Sequence, residues 1–147
     1  MYKNIKPRKW VPKNILKYKG DPNNIWARSS WELRVFKYMD SNPNVIEWNS
    51  EELAIPYFSP VDNKWHRYFP DVLAKMKTAD NRIKTYLIEI KPYNQSIEPK
   101  VKSRITKQYI TEVCTWGVNQ AKWKAAKEYA LKNNMEFKVI TEKDLFE

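Results

Sequence analysis

An α/β fold, one domain built on a mixed β-sheet flanked by helices, is predicted by three features of this 147-residue chain. Its elements read in the order helix, three or four antiparallel strands, helices and a final strand, which places helices against a sheet of mixed direction. Its length suits a single core. Its most informative stretch, residues 67–91 (RYFPDVLAKMKTADNRIKTYLIEIK), reads as two strands joined by a turn-forming patch at Thr78 to Arg82.

Residues 1–20 read as a basic N-terminal arm, and residues 21–147 as the domain proper. The arm carries seven of the 27 Lys and Arg and none of the 17 Asp and Glu, so it holds most of the net charge of +10. Lys3, Lys6, Arg8, Lys9 and Lys13, interleaved with aromatics such as Trp10 and Tyr18, suit two arrangements. One is an extended segment along a phosphate backbone; the other is a strap that packs its rings on the domain while its lysines stay in water. A sequence pI near 9.6 points to a polyanionic partner. The 14% aromatic content exceeds what a solvated tail needs and leaves ring surface for stacking.

No apolar run approaches the ~18–20 residues of a membrane span, and the N-terminus lacks a signal-peptide core. An intracellular protein, or a particle component assembled inside a cell, is therefore expected, with no membrane partner. Cys114 is single, so an internal disulfide and a cysteine zinc site are excluded; His66 is also single, which excludes a histidine metal cluster within one chain. A metal here would be held by oxygen, which favours magnesium or manganese.

In chain order, Gly20 to Asn24 forms a turn and a helix follows from Ser29-Ser30 to about Asp40. Val35, Phe36 and Met39 lie three, four and seven residues after Glu32, so Glu32 projects from the apolar face. Ser29 and Glu32 also have the spacing of a capping box, a purely structural device. Strands are expected at Val45 to Trp48 and Leu53 to Phe58, the second at an edge or bulge because of Pro56. Another runs from Lys64 to Phe69 and leads into the hairpin. Pro92 stops the second hairpin strand, and a polar loop reaches Pro99. From Lys100 a helical pattern carries Lys100, Lys102, Arg104 and Lys107, a surface facing either DNA or solvent. Gly117 is expected to break it, with a second helix from Val118 to Lys132 and a last strand from Phe137 to Thr141.

The acids of the hairpin carry the chemistry. If it is symmetrical about Asp80, Asp71 stands opposite Glu89, with Cβ atoms roughly 4.5–5.5 Å apart. Two bare carboxylates at that distance need a proton or a cation between them. Leu87, Glu89 and Lys91 point to one face, which sets Glu89 beside Lys91 at the sheet surface, while Tyr86, Ile88 and Ile90 enter the core. A divalent cation on Asp71 and Glu89, with the Ile90 carbonyl, would gather a water and a phosphate oxygen, and Glu32 could complete the set. Lys91 could then orient or deprotonate the water, or neutralise the phosphorane. His66 and Arg67 are candidates for phosphate contact, although His66 also suits an exposed strand with its ring hydrogen-bonded. Gln120 is a weaker candidate for orienting groups at the site.

The frame Pro70-Asp71 … Glu89-Ile90-Lys91 resembles the PD-(D/E)xK motif of the restriction-endonuclease-like nucleases. Ser29 to Glu32 and Ile55-Pro56-Tyr57 resemble the corresponding parts of phage junction-resolving endonucleases and of the endonuclease subunit of heteromeric transposases. That resemblance implies a restriction-endonuclease-like fold and places Glu32, Asp71, Glu89 and Lys91 in the catalytic roles, the acids binding magnesium or manganese. Length, basic arm and the SSWE opening are most similar to the head completion nucleases of large contractile-tailed phages. This implies a DNA endonuclease acting on packaged DNA or its end before tail joining, with phage head or neck proteins as partners, in the host cytoplasm or the virion. A junction-resolving or transposase-type endonuclease, cutting as a homodimer, is the alternative, and an inactive DNA-binding structural protein on the same fold is a third.

Overall fold

The structure, a computed structural model, describes residues 4–145. Lys3, assigned to DNA binding above, lies outside the described residues. Strand β1 (Asn4–Lys9) pairs antiparallel with β2 (Trp26–Ser29), which runs directly into α1 (Ser30–Ser41). Then follow β3 (Val45–Asn49), the short hairpin β4 (Ile55–Phe58) and β5 (Trp65–Tyr68), and the long hairpin β6 (Val72–Lys77) and β7 (Ile83–Ile90). A single turn, α2 (Tyr93–Ser96), precedes the long α3 (Lys107–Lys132), then β8 (Glu136–Ile140) and α4 (Glu142–Leu145). The central sheet has the order β3-β6-β7-β8, antiparallel except for the parallel pair β7 and β8. The expected mixed sheet is thus present, and α3 supplies the long crossover that a parallel pair requires.

The long hairpin has the register expected from its symmetry. Val72 pairs with Ile88 and Lys77 with Ile83, every pair centred on Asp80. Its turn closes through Thr78 N–H donating to the Arg82 carbonyl at 2.8 Å, and Asn81 takes the left-handed conformation at φ 69°, which asparagine tolerates.

Alternation along β7 sends Ile88 and Ile90 to one face and Leu87 and Glu89 to the other. Both faces are covered. Ile88 and Ile90 join Trp31, Val35 and Phe36 of α1 and Trp48 of β3, whereas Leu87 packs with Trp123, Ala126 and Ala130 of α3. Each buried Leu or Ile contributes roughly 1.5–3 kcal/mol, so the sheet is held as a middle layer between the two helices. This corrects the placement of Glu89 at the sheet surface: it lies under α3, 6% exposed.

Two further corrections concern the helices. Lys100, Lys102 and Arg104 lie in an irregular segment ahead of α3, and of that basic set only Lys107 is helical. The start is set by Thr106, whose hydroxyl accepts from Tyr109 N–H at 3.1 Å as an N-cap. Gly117 does not break α3. It has ordinary negative φ, and one glycine costs about 1 kcal/mol in a helix interior, too little against the packing of Trp116, Trp123 and Ala126 on the sheet side.

The basic segment folds onto the domain by its rings. Trp10 lies 6.0 Å from Phe36 and 6.1 Å from Trp48 between ring centroids, and Tyr18 meets Trp48 edge-on at 4.9 Å. The buried Tyr18 hydroxyl donates to the Ser50 carbonyl and accepts from Ser50 N–H. Lys17 Nζ donates to the carbonyls of Asp40 and Asn42 at the end of α1. Lys6, Arg8, Lys9 and Lys13 stay exposed.

Candidate active site

Asp71 sits in the bend between β5 and β6, one residue before the first pair of the long hairpin. Extending that register sets it opposite Glu89. Its Oδ2 accepts from Ile90 N–H at 2.7 Å, which ties the bend to the end of β7. Burial, and then the charges of Glu89 and Glu32, push the Asp71 carboxyl well above the usual carboxylate range.

Glu32 enters from the first turn of α1. Ser29 Oγ accepts from Glu32 N–H at 3.1 Å and donates to Glu32 Oε2 at 3.2 Å, so the capping role is real. Capping occupies one oxygen only. Glu32 Oε1 is buried and receives no hydrogen bond among the described residues. Burial, opposed by Ser29 and the Arg28 backbone, pushes the Glu32 carboxyl up to about 7.

Carboxylate oxygens of Glu32, Asp71 and Glu51 lie within 4.8 Å of one another. Glu51 has no part in the sequence reading. It follows β3 at φ 55°, with its N–H donating to the Pro70 carbonyl at 3.3 Å. Arg28 of β2 grips it in two-pronged fashion, Nε to Oε1 at 2.9 Å and a terminal nitrogen to Oε2 at 3.2 Å. An acid in a loop, with no periodicity or motif around it, offered no local signal; only the fold brings Glu51 beside Pro70-Asp71.

Glu89 does not join this trio, contrary to the expected convergence of Glu32, Asp71 and Glu89. The Tyr68 hydroxyl donates to its Oε2, and its Oε1 lies 3.7 Å from Lys91 Nζ. Burial raises the Glu89 pKa, while Lys91, Tyr68 and Lys122 pull it back. Tyr68, buried against this acid, is shifted well upward. Lys122 reaches in from α3, its Nζ 5.8 Å from the ring centres of both Tyr57 and Tyr68. Burial lowers its pKa, opposed by the charge of Glu89. Lys122 was also not foreseen, because α3 carries several lysines and most of them are solvated.

The remaining candidates are peripheral. His66 lies on exposed β5 with its ring Nε2 2.7 Å from Asp62 Oδ2, the hydrogen-bonded alternative stated for it. The Arg67 guanidinium lies over Phe69 at 5.5 Å, and Gln120 is exposed on α3. No described helix is long and apolar enough to cross a membrane.

The donor set suits a hard cation. Among the described residues, three converging carboxylates, one with a buried oxygen that has no hydrogen-bond partner, gather beside Arg28, which is committed to Glu51.

The family model described as "TnsA-like endonuclease N terminal" matches residues 42–142, a span that includes Glu51, Asp71, Glu89, Lys91 and Lys122 and leaves Glu32 ahead of it. The chain is also 43% identical over 141 residues to the "Head completion nuclease" of Enterobacteria phage T4, covering 93% of this chain and 91% of that protein. No solved structure is a significant match.

Proposed function

The chain belongs to the TnsA-like endonuclease family, and from that premise we propose that it is a magnesium- or manganese-dependent DNA endonuclease acting in phage head completion. The likeness to the head completion nuclease runs nearly end to end in both chains, which supports the assembly role. One observation carries the site assignment: Asp71 belongs both to the acidic trio and to the hairpin end that holds Glu89 and Lys91.

Asp71, Glu32 and Glu51 would hold the cation, with Glu89 and the Ile90 carbonyl at the adjoining end of β7. Once bound, such a cation polarises the scissile phosphate and lowers the pKa of the attacking water. Lys91 and Lys122 supply positive charge on the other side of Asp71, where a phosphate oxygen gains charge as water attacks. Tyr68 holds Glu89 in place. DNA would be gathered by the exposed Lys6, Arg8, Lys9, Lys13, Arg67, Lys100, Lys102, Arg104 and Lys107, making binding steeply salt-dependent. Phage head or neck proteins are the proposed protein partners, and the host cytoplasm during assembly, then the virion, the proposed location.

The test is cleavage of linear, branched and single-stranded DNA with magnesium by wild type, Asp71→Ala and Glu89→Ala. Wild-type cleavage reduced by at least about a thousandfold in both variants is expected. Unchanged cleavage by both variants would reject the site, and an inert wild type would leave a DNA-binding structural protein.

A further inference from the structure

The β4–β5 hairpin presents an unusual outer face. Its inner face is buried through Tyr57 and Tyr68, but Trp65 is 70% exposed and its partner Phe58 46%. The two rings meet edge-on with centroids 5.5 Å apart. Strand alternation puts Trp65 and Arg67 on one face, and the Arg67 guanidinium lies over the ring of Phe69, the first residue past the strand. Large rings left in water next to a guanidinium are costly for a monomer and serve a partner with flat faces and negative charge.

Resting on the nuclease reading above, we propose that this face is a stacking platform for the bases of unpaired DNA, a single-stranded tail or branch arm, leading into the site. Two observations select DNA over protein. The face is rings and a cation, and Asp62, in the loop that joins β4 and β5, is turned to the His66 ring. It is also close to the acids along the chain, since only Phe69 and Pro70 separate the end of β5 from Asp71. The six residue steps from Trp65 to Asp71 reach at most roughly 20 Å. Bases of any identity stack on such rings, so the platform would select unpaired structure and not sequence.

The experiment is DNA binding by the full chain in EDTA, comparing a blunt duplex with the same duplex carrying a single-stranded tail, read by anisotropy and tryptophan fluorescence. Wild type should prefer the tailed DNA and lose fluorescence on binding it. Trp65→Ala should bind the tailed DNA about tenfold more weakly, as expected for one lost stacking contact, and the blunt duplex within about twofold of wild type. Trp65→Phe should keep most of the preference. Equal wild-type affinities, or a Trp65→Ala variant that is unimpaired or equally impaired on both DNAs, would overturn the platform. So would a Trp65→Ala variant with normal DNA binding that fails to join phage heads, which would give the face to a protein. A tail preference that survives in a wild type unable to cut any DNA with magnesium would reject the nuclease reading and leave the platform standing.

Discussion

Two groups of side chains meet at Asp71 and differ in charge. Towards α1, Glu32, Glu51 and Asp71 gather three carboxylates around one arginine already bound to Glu51. Towards α3, Glu89 is satisfied by Tyr68, Lys91 and Lys122. The first group has more negative charge than Arg28 offsets and suits a cation; the second holds a surplus of positive charge and suits a phosphate. Phosphodiester hydrolysis needs both within reach of one atom, and Asp71 is the residue they share.

Variants on the two sides should therefore fail differently. The largest effect after the loss of Asp71 or Glu89 belongs to the phosphate side. Lys122→Met keeps the stem over Tyr57 and Tyr68 but removes the charge. It should lower kcat on the order of a hundredfold while leaving the magnesium concentration for half-maximal activity unchanged. A shifted magnesium requirement would instead place Lys122 on the cation side.

A smaller and opposite effect is expected from Glu51→Gln. The magnesium concentration for half-maximal cleavage should rise roughly tenfold, with the rate recovered at saturation. Loss of kcat that magnesium does not rescue would remove Glu51 from the cation group.

The smallest effect is on stability. Unfolded, Glu32 ionises near its ordinary value of 4.5, whereas folded it keeps its proton to about 7. Between those values the folded chain binds more protons, so stability falls as pH rises through this window and levels off above it. The loss should be roughly 3 kcal/mol in EDTA, measured by urea unfolding from pH 4.5 to 8. Asp71, shifted in the same direction, adds to the slope. Glu32→Gln should remove the share that Glu32 contributes and leave a shallower slope from Asp71 and Glu89, and magnesium should restore stability at the upper end. A flat profile in EDTA would show that the acids do not crowd one another.

What the chain dictates locally was legible from the sequence. The period of two in residues 72–90 and the turn residues at Thr78 to Arg82 set the register of the long hairpin, which extended by one residue sets Asp71 opposite Glu89, because a one-residue slip would carry Ile88 and Ile90 to the other face. Ser29 and Glu32 set the start of α1 by their spacing. Helix α3 was less legible, because Gly117 and the basic run at residues 100–107 read alike inside or outside a helix until Thr106 caps it and the sheet packs on it.

Tertiary structure alone decided the rest of the site. Glu51 comes to Asp71 through the Pro70 carbonyl, Lys122 comes to Glu89 across a crossover helix, and the covering of Leu87 by α3 buries Glu89. Each depends on contacts between residues about 20 to 50 positions apart. Local periodicity reports which face of an element is apolar; it carries no record of what another element brings against that face.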